Sequence, residues 1–278
     1  MQLDLYSKGL YSTWIFYPTD NLLFDCGEGC SSTLGNRIYA VEKIFLSHGH
    51  TDHIAGLPNF INTRNLSMGD KKKAIDIFYP QGSQDVERMR EYISYAQTRL
   101  QYKLNWKPVN PGFEIEVAAN RKIRCFKANH GRALAMGFSI NEDRKRLKPQ
   151  YQGLSKEEYI KLRKDNVDIN EHYRKKLLVY SGDAFKIPDV EAMDADVLIH
   201  DVTFLNGDER REFQDSNGDM SSSHATLQEV EAFAKRCNIK KTVGMHVSPR
   251  YSGNDVKELK LPENFQVVPP GKFWNLDL

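Results

Sequence analysis

The 278-residue sequence predicts a layered α/β domain, and three observations predict it. Short apolar or aromatic runs bounded by Pro, Asn, Asp and Gly fill the opening third, as strands joined by tight loops do. Beyond residue 176 strand-like runs alternate with helical periodicity, the pattern that lays helices over the faces of sheets. No Pro/Gly/Ser-rich linker or low-complexity tract divides the chain, so one domain over 1–278 is the economical reading.

The elements follow in order. "YSTWIFYP" (11–18), "NLLFDCG" (21–27) and "AVEKIFLS" (40–47) read as strands. "SQDVERMREYISYAQTRL" (83–100) spaces its apolar residues at helical intervals among charges and predicts an amphipathic helix. "FEIEVA" (113–118) and "RKIRCFKA" (121–128) return to strand alternation, and "MGFSIN" (136–141) is one more candidate. Residues 141–176 change character: Lys and Arg outnumber Asp and Glu there by four, against a net charge of +2 for the whole chain. Ser155 and Glu158 form a capping box, so this stretch is read as a basic helical insertion. A solvated surface and a nucleic-acid contact are equally good explanations of its charge. After it come the strands "KLLVYSGDAF" (176–185) and "ADVLIHDVTFL" (195–205). The helix "TLQEVEAFAKRC" (226–237) opens with a Thr226/Glu229 capping box, and strands "KKTVGMHV" (240–247) and "NFQVVP" (264–269) complete the set.

Composition narrows the class. The near-neutral charge does not by itself point to nucleic acid, and no run approaches the roughly 18–20 apolar residues that span a bilayer. The N-terminus lacks the pattern of a secretory signal, and a cytoplasmic location is expected. Cys26, Cys30, Cys125 and Cys237 then read as reduced thiols in core or loop positions rather than as a disulfide or zinc framework.

"SHGHTDH" (47–53) carries the chemistry. Three imidazoles and a carboxylate at a strand's end must be hydrated, paired or ligated. Four donors on one zinc would leave no open position, so the cluster is better divided between two ions, His48 and His50 on one and Asp52 and His53 on the other. His130 in "KANHG" ends a strand and can complete the first set. His246 in "GMHVS" can complete the second, and Asp183 in "YSGDA" can bridge both. Asp25 and Glu28 in "FDCGEG" are expected to fix the loop around Gly27 and Gly29 rather than bind metal.

With these residues in view, "SHGHTDHIAGLP" resembles the HxHxDH motif of the metallo-β-lactamase superfamily, which implies a four-layer αββα sandwich and a two-metal centre between its sheets. Within that superfamily the chain resembles ribonuclease Z. "LLFDCGEG" is similar to that family's strand and turn before the histidines. "HDVTFL" (200–205) looks like its HEAT motif with Asp201 in place of Glu, "HAT" (224–226) like its HST motif, and "HVSPRY" (246–251) like its HFSxRY motif. The opening "SKGLYSTW" departs from the family's Gly- and Ser-rich start. Residues 141–176 are short and poor in Gly-Pro for its tRNA-binding arm, closer to a compact subtype with a basic arm.

The resemblance implies removal of the 3′ trailer from precursor tRNA by hydroxide attack on a phosphodiester, leaving a 3′-OH and a 5′-phosphate. It implies two divalent ions per chain, zinc suiting the ligands and manganese or iron allowed, and a homodimer without a membrane partner. Asp52 would align the nucleophile and His224 would protonate the leaving oxygen, with His200, Asp201 and Thr226 supporting the ligands behind them. For His200 a plain buried histidine is an almost equal reading. Arg250, with Lys145, Arg146 and Lys148 of the basic segment, are candidate substrate contacts. A small-molecule phosphodiester, thioester or lactone hydrolase of the same superfamily is the alternative, and a metal-free RNA-binding relative a more distant one.

Overall fold

The computed structural model describes residues 1–66, 73–207 and 223–277. Its strands, in chain order, are β1 (Gln2–Lys8), β2 (Ser12–Tyr17), β3 (Leu22–Phe24), β4 (Lys43–Phe45), β5 (Ile75–Pro80), β6 (Leu104–Val109), β7 (Glu114–Ala118), β8 (Arg121–His130), β9 (Ala133–Leu147), β10 (Asn170–Tyr180), β11 (Val197–Asp201), β12 (Lys241–Met245), β13 (Phe265–Val267) and β14 (Phe273–Asp277). They form two sheets, ordered β14-β1-β2-β3-β4-β5-β6 and β13-β12-β11-β10-β9-β8-β7. Parallel pairing joins β3, β4, β5 and β6 in the first sheet and β10, β11, β12 and β13 in the second, with antiparallel neighbours completing each.

Strand alternation builds the layers. In β3, Leu22 and Phe24 enter the core between the sheets while Leu23 joins the cluster under the helices on the other face. In β11, Val197 and Ile199 face the same central core and Leu198 faces the opposite helix layer. Aromatic rings fill the centre: Phe45 lies 4.7 Å from Phe78 and 5.5 Å from Phe138, and Phe24 lies 5.9 Å from Tyr180. Helices Leu57–Leu66 and Gln84–Ala96 cover the outer face of the first sheet, and Leu227–Arg236 covers that of the second. The result is the expected αββα sandwich.

The expected strands and both capped helices are present, with the first helix confined to Gln84–Ala96. β1, β5, β6, β14 and helix Leu57–Leu66 add to them. The four cysteines are free and buried. The basic segment corrects the reading of a helical insertion. It is an antiparallel hairpin in which β9 and β10 pair continuously out to Leu147 and Asn170, and helix Lys156–Lys164 with its Ser155/Glu158 box sits only at the tip. Both faces of the outer ribbon are polar, so no apolar alternation marks it. Charge pairs across and along it, Asp143 with Arg174 at 3.1 Å and Arg146 with Glu171, stand in for that alternation.

Candidate metal centre

The chemistry-bearing residues converge from strand ends of both sheets. His48 and His50 follow β4, and Asp52 and His53 lie in the helical turn Thr51–Ile54. His130 is the last residue of β8, Asp183 follows β10 and His246 follows β12. His246 adopts a left-handed backbone (φ 62°), held by its N–H to Ser7 Oγ at 2.8 Å, which turns its ring inward. The loop after β3 packs backbone to backbone on this region. A Cβ on Gly27 would sit 2.4 Å from the Asp52 carbonyl oxygen, and one on Gly56 would sit 2.1 Å from the Gly27 carbonyl oxygen.

The side chains fall into two sets. The ligand atoms of His48, His50 and His130 lie within 4.8 Å of one another, as do those of Asp52, His53, Asp183 and His246. Asp183 stands between them: Oδ1 is 3.2 Å from His53 Nε2, and Oδ2 is 3.0 Å from His246 Nε2 and 3.9 Å from His48 Nε2. Asp52 Oδ2 is 3.2 Å from His246 Nε2 and accepts the Leu10 N–H at 3.1 Å.

Four of the five rings are aimed by the nitrogen that faces away from the centre. His53 Nδ1–H donates to Asp25 Oδ2 at 2.8 Å, and His130 Nδ1–H to the Ser223 carbonyl at 2.8 Å. Ser47 Oγ gives its proton to Asp25 and so accepts His48 Nδ1–H at 3.0 Å. Thr203 Oγ gives its proton to Asp201 and accepts His246 Nδ1–H at 3.1 Å. With these partners on Nδ1, four Nε2 atoms face the centre, where His50 presents Nδ1, 3.2 Å from His130 Nε2. His48 Nε2, His53 Nε2 and Asp183 Oδ1 are buried without a hydrogen-bond partner, the Asp183–His53 approach lacking hydrogen-bond alignment. These three orphaned atoms lie together within the His/Asp cluster, and a cation fits all three.

The electrostatics are divided along the same line. Burial holds the imidazole pKa of His48, His50 and His130 below the ordinary value, that of His130 down to about 4, so these are neutral bases. Burial also opposes charge on His53 and His246, but Asp183 with Asp25 and Asp183 with Asp52 outweigh it and raise both, His246 to about 9. Burial likewise opposes ionisation of Asp183, yet His246 and His53 hold it well below the usual carboxylate range. The carboxylate half thus retains protons that divalent cations would displace. The donor set fits two metal ions.

Asp25 is the hub behind the histidines. It is fully buried and accepts from Ser47 N (2.7 Å), Ser47 Oγ, His53 Nδ1 and Tyr180 Oη (2.5 Å). Removing such a support is expected to lower metal affinity about 10–100-fold, so Asp25→Ala should show that loss in a chelator-competition titration of folded protein, with Tyr180→Phe intermediate. Unchanged affinity in both would remove Asp25 from this role.

His224 stands at the rim, its Nδ1–H donating to Asp201 Oδ2 at 2.7 Å and its ring 4.8 Å from His130 and 5.3 Å from His246.

The comparisons bear on this geometry. The β-lactamase superfamily domain model matches residues 20–148. A ribonuclease Z of Listeria innocua is 30% identical over 263 residues, covering 85% of this chain and 81% of that protein. The chain belongs to the ribonuclease Z family. A ribonuclease Z of Natronomonas pharaonis is 28% identical over 84% of the chain and 80% of its own length. The crystal structure of human tRNase Z, short form, superposes over the full length of both chains with a TM-score of 0.68 at 18% identity, a likeness of fold.

Other residues singled out in the sequence lie elsewhere. Of the HEAT-like motif of this ribonuclease Z family member, Asp201 and Thr203 reach the centre and His200 does not. By strand alternation His200 faces the opposite layer, 6.0 Å from Phe233, with Nδ1 on the Asp201 carbonyl. Thr226 caps helix Leu227–Arg236 by exchanging hydrogen bonds with Glu229, and so fixes the end of the loop that carries His224 rather than touching a ligand. Arg250 stacks 5.9 Å from the Phe204 ring. Lys145, Arg146 and Lys148 are on the hairpin: Lys145 pairs with His172 in register, Arg146 binds Glu171, and Lys148 Nζ donates to the Asp168 carbonyl at 2.6 Å. Tyr180, Ser47 and Thr203 were not singled out, because each reads as an ordinary strand or turn residue. Only the partners they meet in space mark them.

Proposed function

We propose that this chain is a metal-dependent endoribonuclease that removes the 3′ trailer from precursor tRNA. Membership in the ribonuclease Z family, joined to the His224–Asp201 pair beside a two-part ligand set, is the observation that carries the proposal. His48, His50 and His130 would hold one ion, Asp52, His53 and His246 the other, and Asp183 both. Imidazole with carboxylate suits zinc best. When bound, the ions supply Lewis acidity to the phosphoryl oxygen and ease deprotonation of the attacking water.

The protein's own groups do the rest. Asp52, steadied by the Leu10 N–H, orients the water and takes up its proton. The water oxygen bonds to phosphorus as the P–O3′ bond breaks. His224, whose Nδ1–H is fixed on Asp201, carries a proton on Nε2 and delivers it to the departing 3′ oxygen. The products are a tRNA 3′-OH and a trailer 5′-phosphate. Incubation of a 3′-extended tRNA should release the trailer as one intact oligonucleotide; stepwise shortening would sink the endonuclease assignment.

The β9–β10 hairpin is the proposed exosite, its Lys and Arg meeting phosphates away from the cut. Joining Leu147 to Asn170, which are paired in register, by a short turn in place of 148–169 removes the tip and leaves the sheet. The expected result is a rise in KM for precursor tRNA of about tenfold or more, with small phosphodiesters hydrolysed as before. Equal losses on both substrates would count against an exosite. A homodimer, in which one subunit's hairpin serves the other's centre, accompanies this reading. No helix among the described residues is long and apolar enough to cross a membrane, and a cytoplasmic location, where the substrate is made, goes with the same reading.

A further inference from the structure

Among the described residues, two of the openings adjoin the centre and differ in chemistry. One, of 580 Å³, runs from His130 past Lys127, Arg132, Leu134 and Lys186, and no carboxylate lines it among the described residues. The other, of 650 Å³, is floored by His50 and Asp52 and walled by Leu10, Arg88, Met89 and Tyr92. In this second groove Arg88 is paired with Asp85 at 3.0 Å, so its charge is offset. Leu10 and Tyr92 are 80% and 58% exposed and offer apolar surface to this groove. The first opening suits a phosphate backbone, and the second suits the face of a base.

We propose that the RNA threads the centre with a fixed polarity: the mature tRNA strand lies in the cationic cleft beside His130, and the trailer lies in the groove beside Asp52, where the Tyr92 ring stacks on a trailer base. This deepens the proposed ribonuclease Z activity and rests on it. The leaving 3′ oxygen belongs to the mature tRNA, and His224, which protonates it, lies against the cationic cleft. Its ring is 4.8 Å from that of His130, and a Cβ on Gly131 of the cleft would sit 2.4 Å from Ser223 Oγ. Asp52, which orients the water, floors the other groove. Leaving group and nucleophile lie on opposite sides of phosphorus, so the strand carrying the 3′ oxygen takes the His130 side, and the trailer, held through the 5′ oxygen, turns away from it into the groove whose floor carries Asp52.

The test compares KM for a precursor tRNA bearing a several-nucleotide trailer with Kd for the mature tRNA. Tyr92→Ala is expected to raise the precursor KM about tenfold, to leave the mature-tRNA Kd unchanged, and to be rescued by Tyr92→Phe. Lys127→Ala with Lys186→Ala is expected to weaken both and to flatten the salt dependence of mature-tRNA binding by about one unit of slope per lysine. The polarity is overturned if Tyr92→Ala weakens mature tRNA as much as precursor, if it leaves the precursor KM unchanged, or if the lysine variant affects only trailer-bearing RNA. A wild-type protein that leaves the precursor uncut contradicts the activity itself. The Kd values of precursor and mature tRNA, both then stable, read the polarity directly.

Discussion

Asp183→Ala is expected to lose about 10³-fold or more in kcat/KM on precursor tRNA and to retain fewer than two metal ions per chain. Among the described residues, Asp183 is the one carboxylate within 4 Å of imidazoles from both sets, at 3.2 Å from His53, 3.0 Å from His246 and 3.9 Å from His48. It is 1% exposed, so the surrounding fold fixes where its charge sits. In the proposed two-ion centre its loss would remove the anion shared by the two dications, and with it several kcal/mol of transition-state stabilisation. Asp183→Asn keeps the shape and removes the charge, and should fall with the alanine variant. Metal analysis of purified protein, alongside steady-state cleavage, checks both. Two ions retained with wild-type turnover would show that Asp183 does not bridge.

His224→Ala is expected to lower kcat by roughly 10²–10⁴-fold with the metal content unchanged and KM little altered, the size of a lost general acid. The sharper readout is the leaving group. A ribose 3′ alkoxide needs a proton as it departs, whereas the nitrophenolate of bis(p-nitrophenyl) phosphate does not. Turnover of that diester should therefore survive in the variant. His224 also lies within ligand distance of His130 and Asp183, and of Asp201 and His246, so the metal count separates acid from ligand. Asp201→Ala should show a milder loss of the same kind, because the Nδ1 partner that holds the tautomer is gone. A parallel loss on both substrates, or loss of metal, would contradict the assignment of His224 as acid.

The gathering of these side chains at one place was legible in the sequence because its first part is local. Four donors within six residues, His48 to His53, exceed what one ion uses, and that excess specifies vacancies that strand-end His130, Asp183 and His246 can fill. The residues that aim those donors were less legible. Tyr180 and Thr203 sit in runs of core-like composition, and their roles come from a hydroxyl that meets Asp25 across 155 residues or His246 across 43. His200 and Asp201 are neighbours in sequence, yet strand alternation sends one to each face, and only the packing of Phe233 decides which. The hairpin was misread for a related reason. A ribbon polar on both faces carries no periodic apolar signal, and the one capping box at its tip stood out alone.

The most direct test of the central claim is end analysis of a 3′-extended precursor tRNA cut by the purified protein, with and without chelator. The account predicts a single cut at the 3′ end of the tRNA, a 3′-OH on the tRNA and a 5′-phosphate on the trailer, lost on chelation and restored by zinc. Cleavage that persists after metal removal, or a tRNA ending in a 2′,3′-cyclic phosphate, would contradict it.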